Sequence, residues 1–365
     1  MSNSDIRVVP GPANYFSHNG SLAHLHDFYS DEQLARAIWI YGERAIAGAQ
    51  PFLPEAFHAV GAKKVLFSGH CSESDVAQLV AEAGDDRAVV IGVGGGALLD
   101  TAKAVARRLG LPVVAIPTIA ANCAAWTPLS VWYNDAGQAL HFEIFDDANF
   151  LVLVEPQIIL NAPAEYLLAG IGDTLAKWYE AVVLAPQPET LPLTVRLGIN
   201  GALAIRDVLL QSSETALADQ QRGELSQAFR DVTDAIIAGG GMVGGLGERY
   251  TRVAAAHAVH NGLTILPQTD KFLHGTKVAY GILVQSALLG QDDVLAQLIN
   301  AWQRFNLPTT LAELDVDIHN RDELERVIAH TLRPVESIHF LPVELTPQSL
   351  AAAFEKVENF RRQVH

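Results

Sequence analysis

The chain has 365 residues, a length that predicts about two domains. Hydrophobic residues make up 49% of it and charged residues 18%, which excludes a disordered protein, and the net charge of −16 argues against nucleic acid or an anionic membrane as a partner. The beginning, MSNSDIRVVPGP, lacks the apolar core of a signal peptide, no apolar run is long enough to span a bilayer, and 2 cysteines are too few for a disulfide scaffold, so we expect a cytoplasmic protein.

Short apolar runs in the first part of the chain predict the strands of a parallel sheet. They are apolar without alternation, as in strands that are covered on both faces. Helical segments such as 72–84 and 97–110 lie between them, and Gly110 is placed to end the second one. This alternation predicts an open α/β sheet that binds ligands at the carboxyl ends of its strands. The predicted strands are 37–42, 64–69, 88–96, 112–118 and 150–156.

From residue 163 onward the pattern is almost entirely helical. We therefore expect an α/β domain over 1–162 and an all-helical domain over 163–365, joined by a linker within 157–165. The glycine-rich segment AGGGMVGGLG, 238–247, is either a place where a helix crosses closely against a neighbour or a loop.

The segment VVIGVGGGALLDTAKAVA reads as a strand, three glycines and a helix, and it predicts a pyrophosphate site. Gly94, Gly95 and Gly96 permit close approach of a ligand, and the helix after them offers free N–H groups and a positive dipole end. It matches neither G-x-G-x-x-G nor the P-loop, and the alternative is a tight turn that binds nothing. Asp100 and Lys103 follow as an i, i+3 pair, which is either a surface contact or a means of ordering the glycine turn.

A second group of residues suggests a metal centre. Asp173 lies in GIGDTLAKWYEA, His257 and His260 in RVAAAHAVHNG, and His274 in FLHGTKVAYG. One carboxylate and two imidazoles with an open position suit a catalytic divalent ion, zinc most simply or iron. Taken singly, each residue has an ordinary alternative, because a helical histidine is often a hydrogen-bonded core residue and an aspartate after glycine is often a helix N-cap.

Five separated motifs, in order along nearly the whole chain, resemble the glycerol dehydrogenase branch of the iron-containing alcohol dehydrogenase family. They are GGGALLDTAKAVA, PTIAANCAAWTPLSV, AGIGDTLAKWYEA, AAAHAVHNGLT and HGTKVAYG. More narrowly, GPANYFSHNGSLAHLHDFYSDEQL and LAPQPETLPLTVRLGIN are similar to an enterobacterial subgroup of hydroxycarboxylate dehydrogenases, which reduce 2-oxo acids with NADPH.

The resemblance implies a Rossmann-like parallel-sheet domain followed by a helical domain, the dehydroquinate synthase-like fold, in a homo-oligomer. It implies hydride transfer between NAD(P)H and a small carbonyl compound or alcohol. The metal ligands would be Asp173, His257 and His274, with His260 nearby as a candidate proton relay together with bound water. The residues implied for the cofactor are Gly42, Gly94, Gly95, Gly96, Ala97, Asp100, Thr118, Ala121, Thr127, Leu129 and Tyr133.

Two departures from the family pattern bear on the substrate. Cys123 takes the place at which glycerol dehydrogenases carry an aspartate that contacts the polyol, with Trp126 expected to shape the pocket wall. Lys177 lies one helical turn after Asp173, where it would receive a substrate carboxylate; alternatively it points to solvent or pairs with Glu180. Both changes make the predicted pocket more positive, so we expect a 2-oxo acid and 2-hydroxy acid pair as substrates.

A third departure bears on the cofactor. Gly42 stands where many NAD-preferring members have an aspartate near the adenosine ribose, and Arg44 follows closely. We therefore expect NADPH to be accepted, with Arg44 as a solvated surface residue the alternative.

Three other functions remain open at this point. The first is a plain NAD-linked, zinc-dependent glycerol dehydrogenase. The second is a cyclase of the dehydroquinate synthase-like branch, whose usual glutamate ligand and lysine- and arginine-rich pocket are not evident in this sequence. The third is a nucleotide-binding module without catalytic activity.

Overall fold

The computed structural model describes residues 6–363, so residues 1–5, on which the signal-peptide prediction partly depends, lie outside the described part. The chain divides into two compact units. The sheet unit contains Val9–Pro163 and Asp219–Gly245, and the helical unit contains Ala164–Ala218 and the chain from Leu246 onward. The division near residue 163 lies close to the predicted one. Residues 219–245 differ, because the prediction assigned them to the helical domain and they belong to the sheet unit.

Six parallel strands form the sheet, in the order β1-β8-β5-β4-β2-β3, and a separate antiparallel hairpin pairs β6 with β7. The parallel sheet predicted from continuous apolar runs is confirmed, since β2, β4, β5 and β8 are buried along almost their whole length. Sequence reasoning missed β1 and the hairpin. The strands are β1 (Asn14–Ser17), β2 (Ala37–Tyr41), β3 (Lys63–Leu66), β4 (Val89–Gly94), β5 (Val113–Pro117), β6 (Leu129–Tyr133), β7 (Ala139–Ile144) and β8 (Leu151–Val154).

The helices around the sheet begin and end with ordinary capping chemistry. Ser72 caps the helix that follows β3 by accepting from the backbone N–H of Asp75 at 3.2 Å. Gly110 ends the helix after β4 in the left-handed conformation, as predicted (φ 66°). The helices are α1 (Leu25–Phe28), α2 (Asp31–Ala35), α3 (Glu43–Ala49), α4 (Glu73–Ala83), α5 (Gly96–Leu109) and α6 (Pro156–Leu160).

The rest of the chain is helical, and none of the helices within residues 6–363 combines the length and apolar character that a membrane span needs. A π-helical turn, Ala235–Gly239, connects α9 to α10. The helices are α7 (Ala164–Leu184), α8 (Leu193–Arg222), α9 (Gln227–Asp234), α10 (Gly240–Gly247), α11 (Ala255–Leu263), α12 (His274–Leu288), α13 (Asp292–Phe305), α14 (Arg321–Thr331) and α15 (Pro347–Gln363).

Specific contacts explain why residues 219–245 belong to the sheet unit. The Gln220 amide donates to the carbonyl of Ala162 at 3.0 Å, and the hydroxyls of Tyr15 and Ser17 on β1 both donate to Asp234, each at 2.6 Å. A helical pattern in the sequence does not reveal which core a helix joins.

The glycine-rich segment 238–247 is helical, so the loop alternative is wrong, and its close contacts are with a turn and with the start of the sheet unit instead of with another helix. A Cβ atom on Gly241 would overlap the ring of Trp126. A Cβ on Gly11 would overlap the same ring, and the indole N–H of Trp126 donates to the carbonyl of Pro10 at 2.8 Å. Trp126 therefore anchors the glycine-rich helix to the start of the sheet unit.

In the helical unit, α7 and α12 cross at two glycines. A Cβ atom on Gly172 would overlap the carbonyl oxygen of Gly275, and one on Gly275 would overlap the carbonyl oxygen of Ala169. The same atom on Gly275 would lie 3.0 Å from Cβ of Asp173. Only bare backbone permits this approach, and it brings Asp173 next to the start of α12.

The hairpin is fixed to α5 by a buried ion pair. The Lys103 ammonium lies 2.8 Å from Asp100, and the two side chains are 3% and 9% exposed, so the predicted surface contact is wrong. The ammonium also donates to the carbonyls of Ala124, Thr127 and Leu129. Asp100 accepts from the backbone N–H of Val131 at 3.1 Å, while burial raises its pKa and Lys103 lowers that pKa only in part. This pair positions β6.

We expect Lys103→Met to lower the free energy of unfolding by about 3–5 kcal/mol, because Asp100 would lose its buried counter-charge. Urea denaturation followed by circular dichroism measures the loss. The matched control is Arg107→Met on the same helix, whose ion pair with Asp146 is about half exposed on both sides; it should cost less than about 1 kcal/mol. Equal losses in the two variants would contradict the structural role of the buried pair.

Candidate metal centre and cofactor site

The helical unit brings Asp173, His257 and His274 together. Asp173 lies in the middle of α7, His257 on α11, and His274 is the first residue of α12. Oδ1 of Asp173 is 3.4 Å from Nε2 of His257 and 3.3 Å from Nε2 of His274. One potential ligand atom from each residue lies within 4.8 Å of the others. The ordinary alternatives for the single residues do not explain this convergence.

Glu180 is a residue of this centre that sequence reasoning missed. Its side chain is fully buried, and Oε2 lies 2.7 Å from Nδ1 of His257. The other carboxylate oxygen, Oε1, accepts from the backbone N–H groups of Ala254 and His257 at 2.6 and 3.1 Å. Because a carboxylate accepts, Nδ1 of His257 carries a proton and Nε2 faces Asp173. The seven-residue spacing from Asp173, two helical turns, was the signal available in the sequence.

His260 contacts the other histidine of the trio. Its Nε2 lies 3.0 Å from Nδ1 of His274, and its Nδ1 lies 3.0 Å from Oδ1 of Asn261. Both ring nitrogens of His260 are therefore engaged within the helical unit.

The charges of the centre follow from these contacts. Burial opposes ionisation of Asp173, but hydrogen bonds from His257 and His274 outweigh it and hold the pKa of Asp173 well below its usual range. Burial also lowers the pKa of His257, but the carboxylates of Glu180 and Asp173 raise it to about 9. Burial and the neighbouring His274 hold the pKa of His260 well below its usual range. A divalent cation that binds here would displace a proton from His257.

The donor set fits a divalent metal. Two imidazole nitrogens and one carboxylate oxygen are the ligands that zinc accepts in catalytic sites, with a further position left open. The carboxylate behind His257 is the usual orienting partner of a metal-bound histidine.

Lys177 lies one turn after Asp173 on α7 and is half-buried. Its predicted alternative pairing with Glu180 is not present, because both carboxylate oxygens of Glu180 are engaged at His257. Among residues 6–360, no side chain forms an ion pair with the Lys177 ammonium.

The predicted pyrophosphate loop lies at the junction of β4 and α5. Gly94 ends β4, Gly95 precedes α5, and Gly96 begins it. Cβ atoms on these glycines would lie 2.9, 2.8 and 2.7 Å from Leu98, Ile119 and Asn122, so side chains have no room here. No side chain caps α5, which leaves the N–H groups of its first turn, including that of Ala97, for a ligand. The loop fits a pyrophosphate.

The other predicted cofactor residues lie after parallel strands of the sheet or on the hairpin that follows them. Gly42 follows β2, and Thr118 follows β5 and donates its backbone N–H to Gly94 at 3.1 Å. Ala121, Cys123 and Thr127 lie in the turn between β5 and β6. Leu129 begins β6 and Tyr133 ends it. Gly42 and Thr118 therefore lie at the carboxyl edge of the parallel sheet, whereas Leu129 and Tyr133 lie on the separate hairpin and Asp100 points under it.

Comparison with known proteins decides the family. Residues 12–156 match the family described as iron-containing alcohol dehydrogenase. Over 361 residues the chain is 80% identical to hydroxycarboxylate dehydrogenase A of Escherichia coli K12, covering 99% of this chain and 100% of that protein. The chain belongs to the iron-containing alcohol dehydrogenase family. The predicted resemblance is thereby confirmed.

Other relatives of this iron-containing alcohol dehydrogenase family member support the same assignment. It is 33% identical to glycerol dehydrogenase of Thermotoga maritima, covering 96% of each chain. The crystal structure of glycerol dehydrogenase from Schizosaccharomyces pombe superimposes with a TM-score of 0.85 at 28% identity, covering 99% of this chain and 92% of that one. The family is NAD(P)-dependent and uses a divalent metal. The protein is an oxidoreductase that acts on CH–OH groups, so the cyclase and non-enzymatic alternatives are set aside.

We expect Glu180→Gln to weaken binding of Zn²⁺ by about 10- to 100-fold. A glutamine would still accept from the backbone N–H groups, but its amide would donate to Nδ1 of His257 and turn a protonated Nε2 toward the metal. Competition with a chromogenic chelator measures the dissociation constant. Glu165→Gln, an exposed position on the same helix, should bind Zn²⁺ like the wild type. Unchanged affinity in Glu180→Gln would refute the orienting role.

Proposed function

We propose that this protein interconverts a small 2-oxo acid and the corresponding 2-hydroxy acid, using NAD(P)H and one divalent metal ion, zinc most simply. The observation that carries the proposal is Lys177, a half-buried residue one helical turn from Asp173 with no ion-pair partner among the described side chains. A cation beside a metal centre is stabilised by an anion, and a substrate carboxylate supplies one.

The metal ligands in this proposal are Asp173, His257 and His274, with one coordination position left for the substrate oxygen. A bound divalent ion supplies Lewis-acid polarisation of that oxygen. Glu180 holds His257 in the tautomer that presents Nε2, and Lys177 binds the substrate carboxylate.

The cofactor would be held by the sheet unit. Gly94, Gly95 and Gly96 bind the pyrophosphate through backbone N–H groups at the start of α5. Thr118, Thr127, Leu129 and Tyr133 would line the nicotinamide end, the last two on the hairpin that Asp100 and Lys103 fix to α5. The protein's part in hydride transfer is to fix the cofactor, because the hydride chemistry belongs to the nicotinamide.

Cys123 also supports a 2-oxo acid instead of glycerol as the substrate. It replaces a carboxylate by a largely neutral thiol, which removes an acceptor for a polyol hydroxyl and removes repulsion of an anionic substrate. The 80%-identical relative is named a hydroxycarboxylate dehydrogenase, and the 33%-identical one a glycerol dehydrogenase.

We expect Lys177→Met to lower kcat/KM for 2-oxobutanoate and 2-oxoglutarate by about 10-fold or more, the loss for one charge-assisted bond of about 1.5–3 kcal/mol. Turnover of uncharged dihydroxyacetone should change little, because it has no carboxylate. Steady-state assays of the metal-reconstituted enzyme with both substrate classes measure the difference.

The wild-type assay is the decisive comparison. A higher kcat/KM for glycerol and dihydroxyacetone than for the 2-oxo acids would establish the glycerol dehydrogenase alternative instead. Full activity after a chelator has removed the metal would show that the reaction does not depend on a metal ion.

We also propose that the enzyme accepts NADPH. Gly42 leaves no carboxylate to repel a 2′-phosphate, and Arg44 is an exposed cation in the first turn of α3. We expect Arg44→Ala to raise KM for NADPH about 10-fold while KM for NADH stays within about twofold, since only NADPH carries the phosphate. Kinetics with both cofactors measure this, and strict use of NADH by the wild type would be the contrary result.

A further inference from the structure

A directional hydrogen-bond chain runs from Glu336 to His274. Glu336 is 7% exposed and accepts from the amide nitrogen of Asn261 at 2.8 Å. Oδ1 of Asn261 lies 3.0 Å from Nδ1 of His260, and Nε2 of His260 lies 3.0 Å from Nδ1 of His274. All four residues belong to the helical unit.

Each step of the chain has only one consistent direction. A carboxylate accepts, so the NH₂ group of Asn261 faces Glu336 and its oxygen faces His260. His260 must then carry its proton on Nδ1 to donate to that oxygen, which leaves Nε2 as an acceptor. His274 therefore donates from Nδ1, which leaves Nε2, 3.3 Å from Oδ1 of Asp173, as the ring nitrogen that faces the metal position.

Glu336 and Asn261, at the far end of this series of hydrogen bonds, are themselves held in place. Arg333 donates to Oε1 of Glu336 at 2.5 Å, so Oε2 is left for Asn261. His330 on α14 lies 3.0 Å from the carbonyl oxygen of Asn261, and because a carbonyl accepts, the imidazole donates. Asn261 is thus fixed from its backbone and from its amide.

We propose that Asn261 and Glu336 are positioning residues that set the tautomer of His274, acting through His260. His260 is then a link in this chain, with both ring nitrogens engaged, instead of a proton relay to the substrate. The inference rests on the proposed function, since His274 matters as a ligand only if the centre binds a metal.

Two measurements test the proposal. In metal-free, nitrogen-15 histidine-labelled protein, with the His274 signal assigned from its loss in His274→Gln, we expect the proton on Nδ1 of His274 in the wild type. Asn261→Leu should remove that proton from a substantial share of the protein, because His260 can then carry its own proton on Nε2 and donate to Nδ1 of His274. The same variant should bind Zn²⁺ about 10- to 100-fold more weakly in a chelator competition.

Matched variants separate positioning from packing. Arg333→Met leaves the carboxylate of Glu336 to accept from Asn261 and should bind Zn²⁺ nearly as the wild type does, whereas Glu336→Leu should bind like Asn261→Leu. Gln268→Leu removes an amide-to-carboxylate bond, to Glu323 at 3.0 Å, that reaches none of the three ligands, and it should leave affinity and tautomer unchanged.

The outcomes distinguish this inference from the proposed function. An unchanged His274 tautomer in Asn261→Leu overturns the inference, as does wild-type Zn²⁺ affinity in that variant. Equal weakening in Arg333→Met and Glu336→Leu also overturns it. If the wild type binds no Zn²⁺ at all, the proposed metal function fails with it, a result that the first titration reveals before any variant is compared.

Discussion

The metal centre depends on the crossing of α7 and α12 at Gly172 and Gly275. Side chains at these positions would overlap backbone carbonyl oxygens, so the two helices approach as closely as bare backbone allows. Asp173 follows Gly172 directly, and His274 precedes Gly275, so the crossing places a carboxylate beside an imidazole. The third member, His257, is brought in by α11, whose backbone N–H groups are fixed by Glu180 from α7. One helix therefore supplies both a candidate ligand and the group that orients another candidate ligand.

The sequence predicted the parts of this arrangement that are local or continuous. The apolar runs of β2, β4 and β5 specify buried parallel strands without reference to the rest of the chain, and Gly110 ends α5 through its own left-handed conformation. The pattern could not assign residues 219–245 to the sheet unit, because an amphipathic helix does not specify its partner. It also read Glu180 as a neighbour of Lys177, whereas its partner, His257, is 77 residues away. Glu336 was missed for the same reason, since it lies 75 residues from Asn261.

The two histidine ligands are held by partners of different charge, and this difference bears on substrate choice. His257, whose side chain is 14% exposed, has an anionic partner in Glu180, whereas His274, at 49%, has a neutral partner in His260. Asp173 and Glu180 together match the charge of one divalent ion. A third carboxylate beside His274 would leave the centre negative and would repel an anionic substrate.

His260 avoids that third charge because it is neutral, and it still fixes the His274 tautomer. The carboxylate of Glu336 lies two hydrogen bonds from His260 and is neutralised by Arg333. In the proposed function, Asp173 and Glu180 would balance the metal ion, and Lys177 on the same helix would add a positive charge. A glycerol-type substrate gains nothing from such a charge, whereas a carboxylate gains a charge-assisted hydrogen bond. In the proposed function, the position of the distant Glu336 and the choice of a substrate carboxylate would both follow from the charge balance around Asp173.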